Sequence, residues 1–193
     1  HSFNEYLSWS NFLSYTNYQF NLRGSQSLYS FEMNSLAKNI RYKSLLTRIR
    51  DDKKIFIGFE LTKHNFLPNE IDADAGNFMI DFLSFNPLYA YESAVFSDYE
   101  FSLGDFSFSA GLRYSLFNQV GPNKEYVNNA YNNSSDSIVY GSGESMVLYH
   151  EPEPRLSVKY ELDSESSLKA SYMRMAQYIH LATSSSVSLP TDI

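Results

Sequence analysis

The chain of 193 residues contains no cysteine, so disulfide bonds cannot contribute to its stability. A secreted protein of this length without disulfides must be stabilised by packing, by a metal ion or by a closed hydrogen-bonded sheet. The sequence also has no run of about 18 apolar residues, which excludes a transmembrane helix. Glycine and proline are modest, at 8 and 6 residues, and there is one tryptophan.

Basic residues are in the minority. The sequence has 15 lysine and arginine residues against 22 acidic ones, which gives a formal net charge of −7. Nucleic-acid binding needs clustered cations that displace the counterions of the phosphate backbone. We therefore expect no nucleic-acid partner.

Aromatic residues are abundant at 17%, with 16 tyrosines and 15 phenylalanines. Together with the serine and asparagine content, they favour strands joined by polar loops over helices. The mean hydropathy of −0.36 is polar for a membrane protein. It is compatible with a transmembrane β-barrel, because every second residue of such a barrel faces water.

Apolar and polar residues alternate with period 2 in several segments, which predicts strands that have one apolar face. The clearest segment runs from Phe106 to Phe117. Comparable alternation covers 54–62, 94–103, 155–162 and 167–172, whereas residues 6–22 and 36–49 are strand-like without assignable faces. The apolar faces are predicted to carry Ile55, Ile57, Phe59, Leu61, Val95, Tyr99, Phe101, Leu103, Phe106, Phe108, Ala110, Leu112, Tyr114, Leu116, Leu156, Val158, Tyr160, Leu162, Leu168, Ala170 and Tyr172.

The connections between these strands are expected to alternate between short and long. Gly104-Asp105 suits a two-residue type II′ hairpin turn, in which glycine supplies the positive φ of the first central position. Residues 51–53 and 163–166 are similarly short and polar, whereas residues 23–35, 64–91, 118–152 and 178–193 are expected to form long loops. In an up-and-down meander this alternation collects the short turns at one end and the long loops at the other.

The predicted fold is all-β: an incomplete, antiparallel, up-and-down transmembrane β-barrel segment of about seven strands, with short turns on one side and long loops on the other. Tyrosine and phenylalanine near strand ends fit the aromatic girdles of such barrels, for example Tyr91, Tyr114, Phe117, Tyr172 and Tyr178. A secreted or cell-surface β-sandwich that binds glycans remains an alternative, as does a passive outer-membrane pore. An odd number of strands cannot close a bacterial single-chain barrel. Residues 1–193 are therefore expected to be part of one barrel domain, without its plug and its C-terminal strands.

Two stretches resemble a known family. Residues 92–122, ESAVFSDYEFSLGDFSFSAGLRYSLFNQVGP, are similar to a hairpin of TonB-dependent receptors of the SusC-like type. The motifs PRLS, SLKASY, QYIHL and SLPTD follow in order between residues 154 and 192 and resemble the next hairpin and its loop. A weaker similarity is FELTKHNFLP at residues 59–68, while residues 1–35 carry little resemblance and Arg174 interrupts the apolar face of the last strand.

The resemblance implies import of a bulky solute across the Gram-negative outer membrane, energised through TonB. It implies as partners the membrane lipid, an N-terminal plug domain of the same protein and the TonB complex; a surface lipoprotein is a further candidate, and the small solute is unidentified. No catalytic residue, cofactor or metal is expected, because neither a nucleophile elbow nor a metal-binding histidine pair is present.

Two sets of residues are candidates for functional contacts. Polar groups expected at the loop end of the barrel could contact the solute: His64, Asn128, Tyr131, Asn132, His150 and His180. Charged residues on the polar strand faces are expected to point into the lumen: Glu60, Asp98, Glu100, Arg113, Lys159, Glu161 and Lys169. Ordinary polar loops and a wetted pore wall would produce similar patterns.

The assigned faces of the strand 106–117 can be tested in the full-length protein with two arginine substitutions. Leu112→Arg should block assembly, because an arginine at the bilayer mid-plane costs about 2–4 kcal/mol. Ser109→Arg should be tolerated, since its side chain faces water. Assembly is measured as the yield of membrane-inserted, heat-modifiable protein, and equal yields from the two variants would show that the faces are wrongly assigned.

Overall fold

The structure, a computed structural model, describes residues 1–26, 29–74, 86–129 and 134–179. Nine strands form within these residues. They are β1 (Leu7–Gln26), β2 (Tyr29–Arg50), β3 (Lys53–Asp74), β4 (Leu88–Leu103), β5 (Phe106–Val120), β6 (Asn123–Asn129), β7 (Ser134–Tyr140), β8 (Ser145–Glu161) and β9 (Ser167–Met173). No helix in the described part of the chain is long and apolar enough to cross a membrane.

Seven strands form one antiparallel sheet in the order β1-β2-β3-β4-β5-β8-β9, and β6 and β7 form a separate hairpin between β5 and β8. Each strand of the sheet therefore pairs with its neighbour in the chain, apart from that inserted hairpin. The predicted meander of seven strands is confirmed. The sandwich alternative is wrong, because no second sheet packs on the seven-stranded one within the described residues. Within the part of the chain that the structure describes, the sheet is open, with β1 and β9 at its edges.

The register separates the side chains of the sheet into two faces. One cross-strand row joins Leu46, Ile57, Ser97, Leu112 and Pro154, and we call the face that contains this row the apolar face. The predicted apolar positions of β3, β4, β5, β8 and β9 all share its parity. The opposite side, which we call the charged face, carries Arg41, Glu60, Glu92, Arg113, Glu153 and Lys159.

The short turns have the predicted local chemistry. Gly104 has a φ of +59°, as expected for the first central residue of a type II′ turn. Asp51 takes a φ of +53° in the same place of the β2–β3 turn, which aspartate tolerates better than most residues. In the β8–β9 turn the backbone N–H of Glu165 donates to the Asp163 carboxylate at 2.8 Å, which lowers the pKa of Asp163.

The strands are longer than predicted, and the expected loop 23–35 is wrong for this reason. β1 and β2 stay paired up to Gln26 and Tyr29. Polar contacts hold this extension together: Asn21 donates to Glu32 at 2.7 Å, and Arg23 pairs with Glu32 at 3.0 Å. Apolar periodicity did not reveal the extension because Gly24 and Gln26 interrupt the apolar alternation that reaches Leu22 in β1. Likewise β3, β4, β5 and β8 extend into the expected loops 64–91 and 118–152.

Glycines on the charged face allow neighbouring side chains to lie flat against the sheet. A Cβ atom on Gly58 would lie 2.5 Å from Phe96 Cζ and 2.5 Å from the backbone oxygen of Ser44. A Cβ atom on Gly111 would meet mainly the carboxylate of Asp98, the movable end of a side chain. The Phe96 ring therefore lies across β3, with Lys43 Nζ 5.1 Å from its centroid and Arg113 Cζ 6.0 Å away.

These two glycines give a matched test of the close approach. Gly58→Ala should destabilise the barrel by about 1–3 kcal/mol, because a backbone oxygen cannot move out of the way. Gly111→Ala should cost clearly less, since Asp98 can rotate. Thermal denaturation of the purified full-length variants in detergent measures the difference, and an equal loss at both positions would contradict the account.

Candidate functional site

All seven charged residues expected in the lumen lie on the charged face of the sheet. The register connects Glu60 of β3 with Ala94 of β4, Phe96 with Arg113 of β5, and Arg113 with Glu153 of β8. Lys159 stands opposite Lys169 of β9. Asp98, Glu100 and Glu161 share the parity of these positions. Their common face follows from the ladder.

Arg113 is the centre of a charge cluster that draws on five strands, β2, β3, β4, β5 and β8. Its guanidinium lies 3.6 Å from Glu60, 3.6 Å from Glu92 and 3.7 Å from Glu153. Glu60 also pairs with Arg41 Nη2 at 2.7 Å. Glu60 and Glu153 are buried, with relative exposures of 7% and 5%. Carboxylates in such positions need partners of opposite charge, and the two guanidinium groups supply them.

The cluster continues through Ser115 and His64. Ser115 is 1% exposed and its hydroxyl donates to Glu153 at 2.6 Å. His64 Nδ1 lies 2.9 Å from the amide oxygen of Asn39. The other ring nitrogen of His64 is buried without a hydrogen bond and lies 3.6 Å from Glu92. Three glutamates, two arginines and one histidine therefore share one connected patch, which we call the Arg113 cluster.

A row of rings borders the Arg113 cluster on the side away from the short turns. His64 stacks on Phe66 at 5.6 Å between ring centroids and lies 6.4 Å from Phe117. Phe117 stacks on Tyr178 at 5.3 Å, and Tyr178 lies 6.3 Å from Tyr149. We call these five residues the ring row. It crosses from β3 to β5 and β8 and includes a tyrosine that follows β9.

Tyr178 reaches this face because the chain leaves the ladder after Met173. Its hydroxyl lies 2.7 Å from the hydroxyl of Ser115, which joins the ring row to the Arg113 cluster. Arg174, which interrupts the alternation of the sequence, extends to Glu151 at 2.7 Å and so does not need to face the apolar side. Phe117 and Tyr178 were expected in an aromatic girdle. That placement is wrong, because both lie against the charged face.

The described residues among those expected to contact the solute do not come together at one place in the fold. His64 was expected in a loop but lies in β3, within the Arg113 cluster and the ring row. His150 lies in β8 on the apolar face, with Nδ1 3.0 Å from the hydroxyl of Tyr114, so its placement in a loop is also wrong. Asn128 lies in the β6–β7 hairpin, whereas Tyr131, Asn132 and His180 fall outside the described residues.

Near the short turns, the charged face carries a second polar patch. Lys54 lies 3.7 Å from Glu100, and Lys159 lies 2.8 Å from Glu161. Lys169 stands directly opposite Lys159 and is exposed, without an ion pair to any described residue. Two like charges in one cross-strand position disfavour each other. No group of three or more potential metal ligands comes together among the described residues.

Several residues of the site were not identified from the sequence. Glu92, Glu153 and Arg41 belong to the Arg113 cluster, and Phe66, Tyr149 and Tyr178 belong to the ring row. Glu92 and Glu153 share the polar parity of their strands and could have been found from it. The pairings themselves depend on the register between strands, which the sequence pattern does not give.

Comparison with known proteins gives two matches. Residues 1–187 match the family described as TonB dependent receptor-like, beta-barrel. The solved structure of the ferric citrate transporter FecA in its unliganded form is similar, with a TM-score of 0.54 and 14% identity over 88% of this chain. This chain corresponds to 25% of that chain. No curated protein sequence matches.

The Arg113 cluster predicts a strong effect of removing its central cation. Arg113→Met leaves three carboxylates close together, two of them buried, and should destabilise the folded full-length protein by about 3–5 kcal/mol. Adding Glu153→Gln should recover part of this loss, because one uncompensated charge is removed. The midpoint of thermal unfolding in detergent measures both effects.

Lys169→Met is the matched control, since it removes an exposed cation of the same face that has no ion pair among the described residues. A control as unstable as Arg113→Met, or a double variant less stable than the single one, would contradict the assigned pairings.

Proposed function

Because the chain belongs to the family of TonB dependent receptor-like β-barrels, which lie in the outer membrane of Gram-negative bacteria, we propose that it forms part of the wall of a barrel that imports a bulky solute. In this proposal import is energised through TonB. A plug domain of the same protein closes the bore until TonB acts on it. The proposal assigns the chain no catalytic step and no cofactor.

The contrast between the two faces supports the proposed orientation. Large apolar side chains stay uncovered on the apolar face: Val95 is 60% exposed, and Leu112 and Leu156 are each 54% exposed. A soluble monomer rarely leaves such a surface in water, whereas lipid would cover it. The Arg113 cluster on the other face would be costly in hydrocarbon and suits an aqueous bore.

The ring row is the observation on which the solute path depends. It offers ring faces and the Tyr178 hydroxyl on the side proposed to line the bore, on the long-loop side of the Arg113 cluster. Aromatic rings of this kind bury large, flat or partly apolar molecules while hydroxyl groups satisfy their polar edges. We therefore assign the first wall contact of the incoming solute to Tyr178 and Tyr149, with Phe117 buried behind the Tyr178 ring.

The part of the charged face near the short turns is assigned to contact with the plug. Lys159 and Lys169 stand opposite each other and have one acidic partner between them among the described residues, Glu161. Acidic groups of a plug domain would balance the remaining positive charge and would also stabilise Lys54 beside Glu100. Asp98 and Glu161 complete this mixed-charge surface, so that a plug with patches of both signs fits it. Asn128, Tyr131, Asn132 and His180 stay candidates for solute contact in external loops. His150 is left out of the path because it lies on the apolar face.

Energy-dependent import can be tested without knowing the solute. Cells that produce the full-length protein are grown in a complex medium, and the solutes they deplete are compared by mass spectrometry with those depleted by cells lacking the protein. We expect at least one bulky solute to disappear only when TonB is present. Depletion that continues without TonB would indicate a passive pore, and the proposed mechanism would be wrong.

The ring row predicts which substitutions affect capture. Tyr178→Ala and Tyr149→Ala should each lower the apparent affinity for that solute by roughly fivefold or more, since each stacked ring contributes about 1 kcal/mol. Initial uptake rates over a range of solute concentrations measure this effect. Tyr172→Ala is the matched control, because Tyr172 belongs to the apolar face and should leave the affinity unchanged.

A further inference from the structure

A small cavity lined by basic residues lies at the short-turn end of the sheet, on the apolar face beside the β2–β3 turn. Its volume is about 350 Å³, and it is lined by Arg48, Arg50, Asp51, Lys53, Ile55 and Tyr99. None of these residues belongs to the Arg113 cluster or the ring row. The proposed solute path runs along the charged face and therefore does not account for a cavity on the apolar face.

The ladder directs the cations of this cavity away from the charged face. Arg48 stands opposite Ile55, and Arg50 stands opposite Lys53. These positions have the same parity as Leu46 and Ile57 of the apolar face. Arg50 is 3.8 Å from Asp51, whereas neither Arg48 nor Lys53 has an ion pair with any described residue. The cavity therefore has an excess of positive charge that the described residues leave uncompensated.

Aromatic rings mark the same level of the apolar face. Tyr99 stacks on Phe101 at 5.2 Å, and Phe101 stacks on Phe108 at 5.0 Å. The row continues through Phe106 to Tyr160, with centroid distances of 6.0 Å and 4.5 Å. Rows of this kind lie at the boundary between hydrocarbon and headgroups in transmembrane barrels. Arginine is tolerated at that depth, because its cost in lipid falls to near zero at the interface.

We propose that this cavity binds the phosphate of an anionic phospholipid in the membrane leaflet on the short-turn side. The guanidinium groups of Arg48 and Arg50 hold the phosphate oxygens, and Lys53 adds a third positive charge from the strand end. Ile55 and Tyr99 contact the first part of the acyl chains. The inference uses the orientation of the apolar face toward lipid and is independent of the transported solute.

The test measures lipid retention by native mass spectrometry of the full-length protein in detergent, titrated with phosphatidylglycerol or with phosphatidylcholine. The wild type should retain phosphatidylglycerol in preference to phosphatidylcholine, and an excess of inorganic phosphate should not displace it. The variant Arg48→Gln/Arg50→Gln should bind phosphatidylglycerol on the order of 20-fold more weakly, about fivefold for each cation removed.

Lys54→Gln provides the matched control, because Lys54 is adjacent to Lys53 in sequence but faces the opposite side of the sheet. It should retain phosphatidylglycerol as the wild type does. If the double variant fails to fold, Arg48→Gln alone should still lower retention about fivefold. Equal retention of the two lipids by the wild type, or equal loss in Lys54→Gln and the arginine variants, would overturn the proposal. Displacement by inorganic phosphate would also overturn it, in favour of a free-anion site.

Discussion

The pairing of backbone groups between neighbouring strands is the constraint on which the rest of this structure depends. A strand in lipid cannot leave its N–H and C=O groups without partners, so each must bond to the next strand. An unbroken antiparallel ladder fixes the direction of every side chain, because successive residues point to opposite faces. In this chain the ladder runs without a bulge through β3, β4 and β5. The separation into an apolar face and a charged face follows directly from it.

The same ladder brings together residues that are far apart in sequence. Arg113 meets Glu60, Glu92 and Glu153 because three registers place these positions near one another. Each carboxylate would be costly on its own at this depth, and the shared guanidinium makes the group tolerable. The ring row lies beside the cluster and is joined to it by His64 and by the contact between Ser115 and Tyr178. The charged face thus combines a rigid ionic wall with adjoining ring surfaces.

Period-2 alternation was sufficient to predict β3, β4, β5, β8 and β9 of the sheet, the separation of their side chains into two faces and the Gly104 turn. It was insufficient for the ends of β1 and β2 beside Gln26 and Tyr29, where Gly24 and Gln26 interrupt the alternation, so that residues 23–35 were expected to form a loop. It also could not identify Glu153 as a partner of Arg113 or Tyr178 as a partner of Ser115, since these contacts depend on register and on the departure of the chain from the ladder after Met173. Arg48 and Arg50 were missed for a related reason: without a register for β2, their face was unknown.

The orientation of the two faces can be measured most directly by the accessibility of single cysteines along β5, an approach made simpler by the absence of native cysteine from this chain. Each residue from Ser107 to Leu116 is replaced in turn in the full-length, membrane-embedded protein, and labelling by a membrane-impermeant, water-soluble thiol reagent is recorded. The assigned faces predict faster labelling at Ser107 and Ser109 than at Phe108, Ala110 and Leu112, which face lipid. Uniform labelling along the strand, or the opposite alternation, would contradict that assignment.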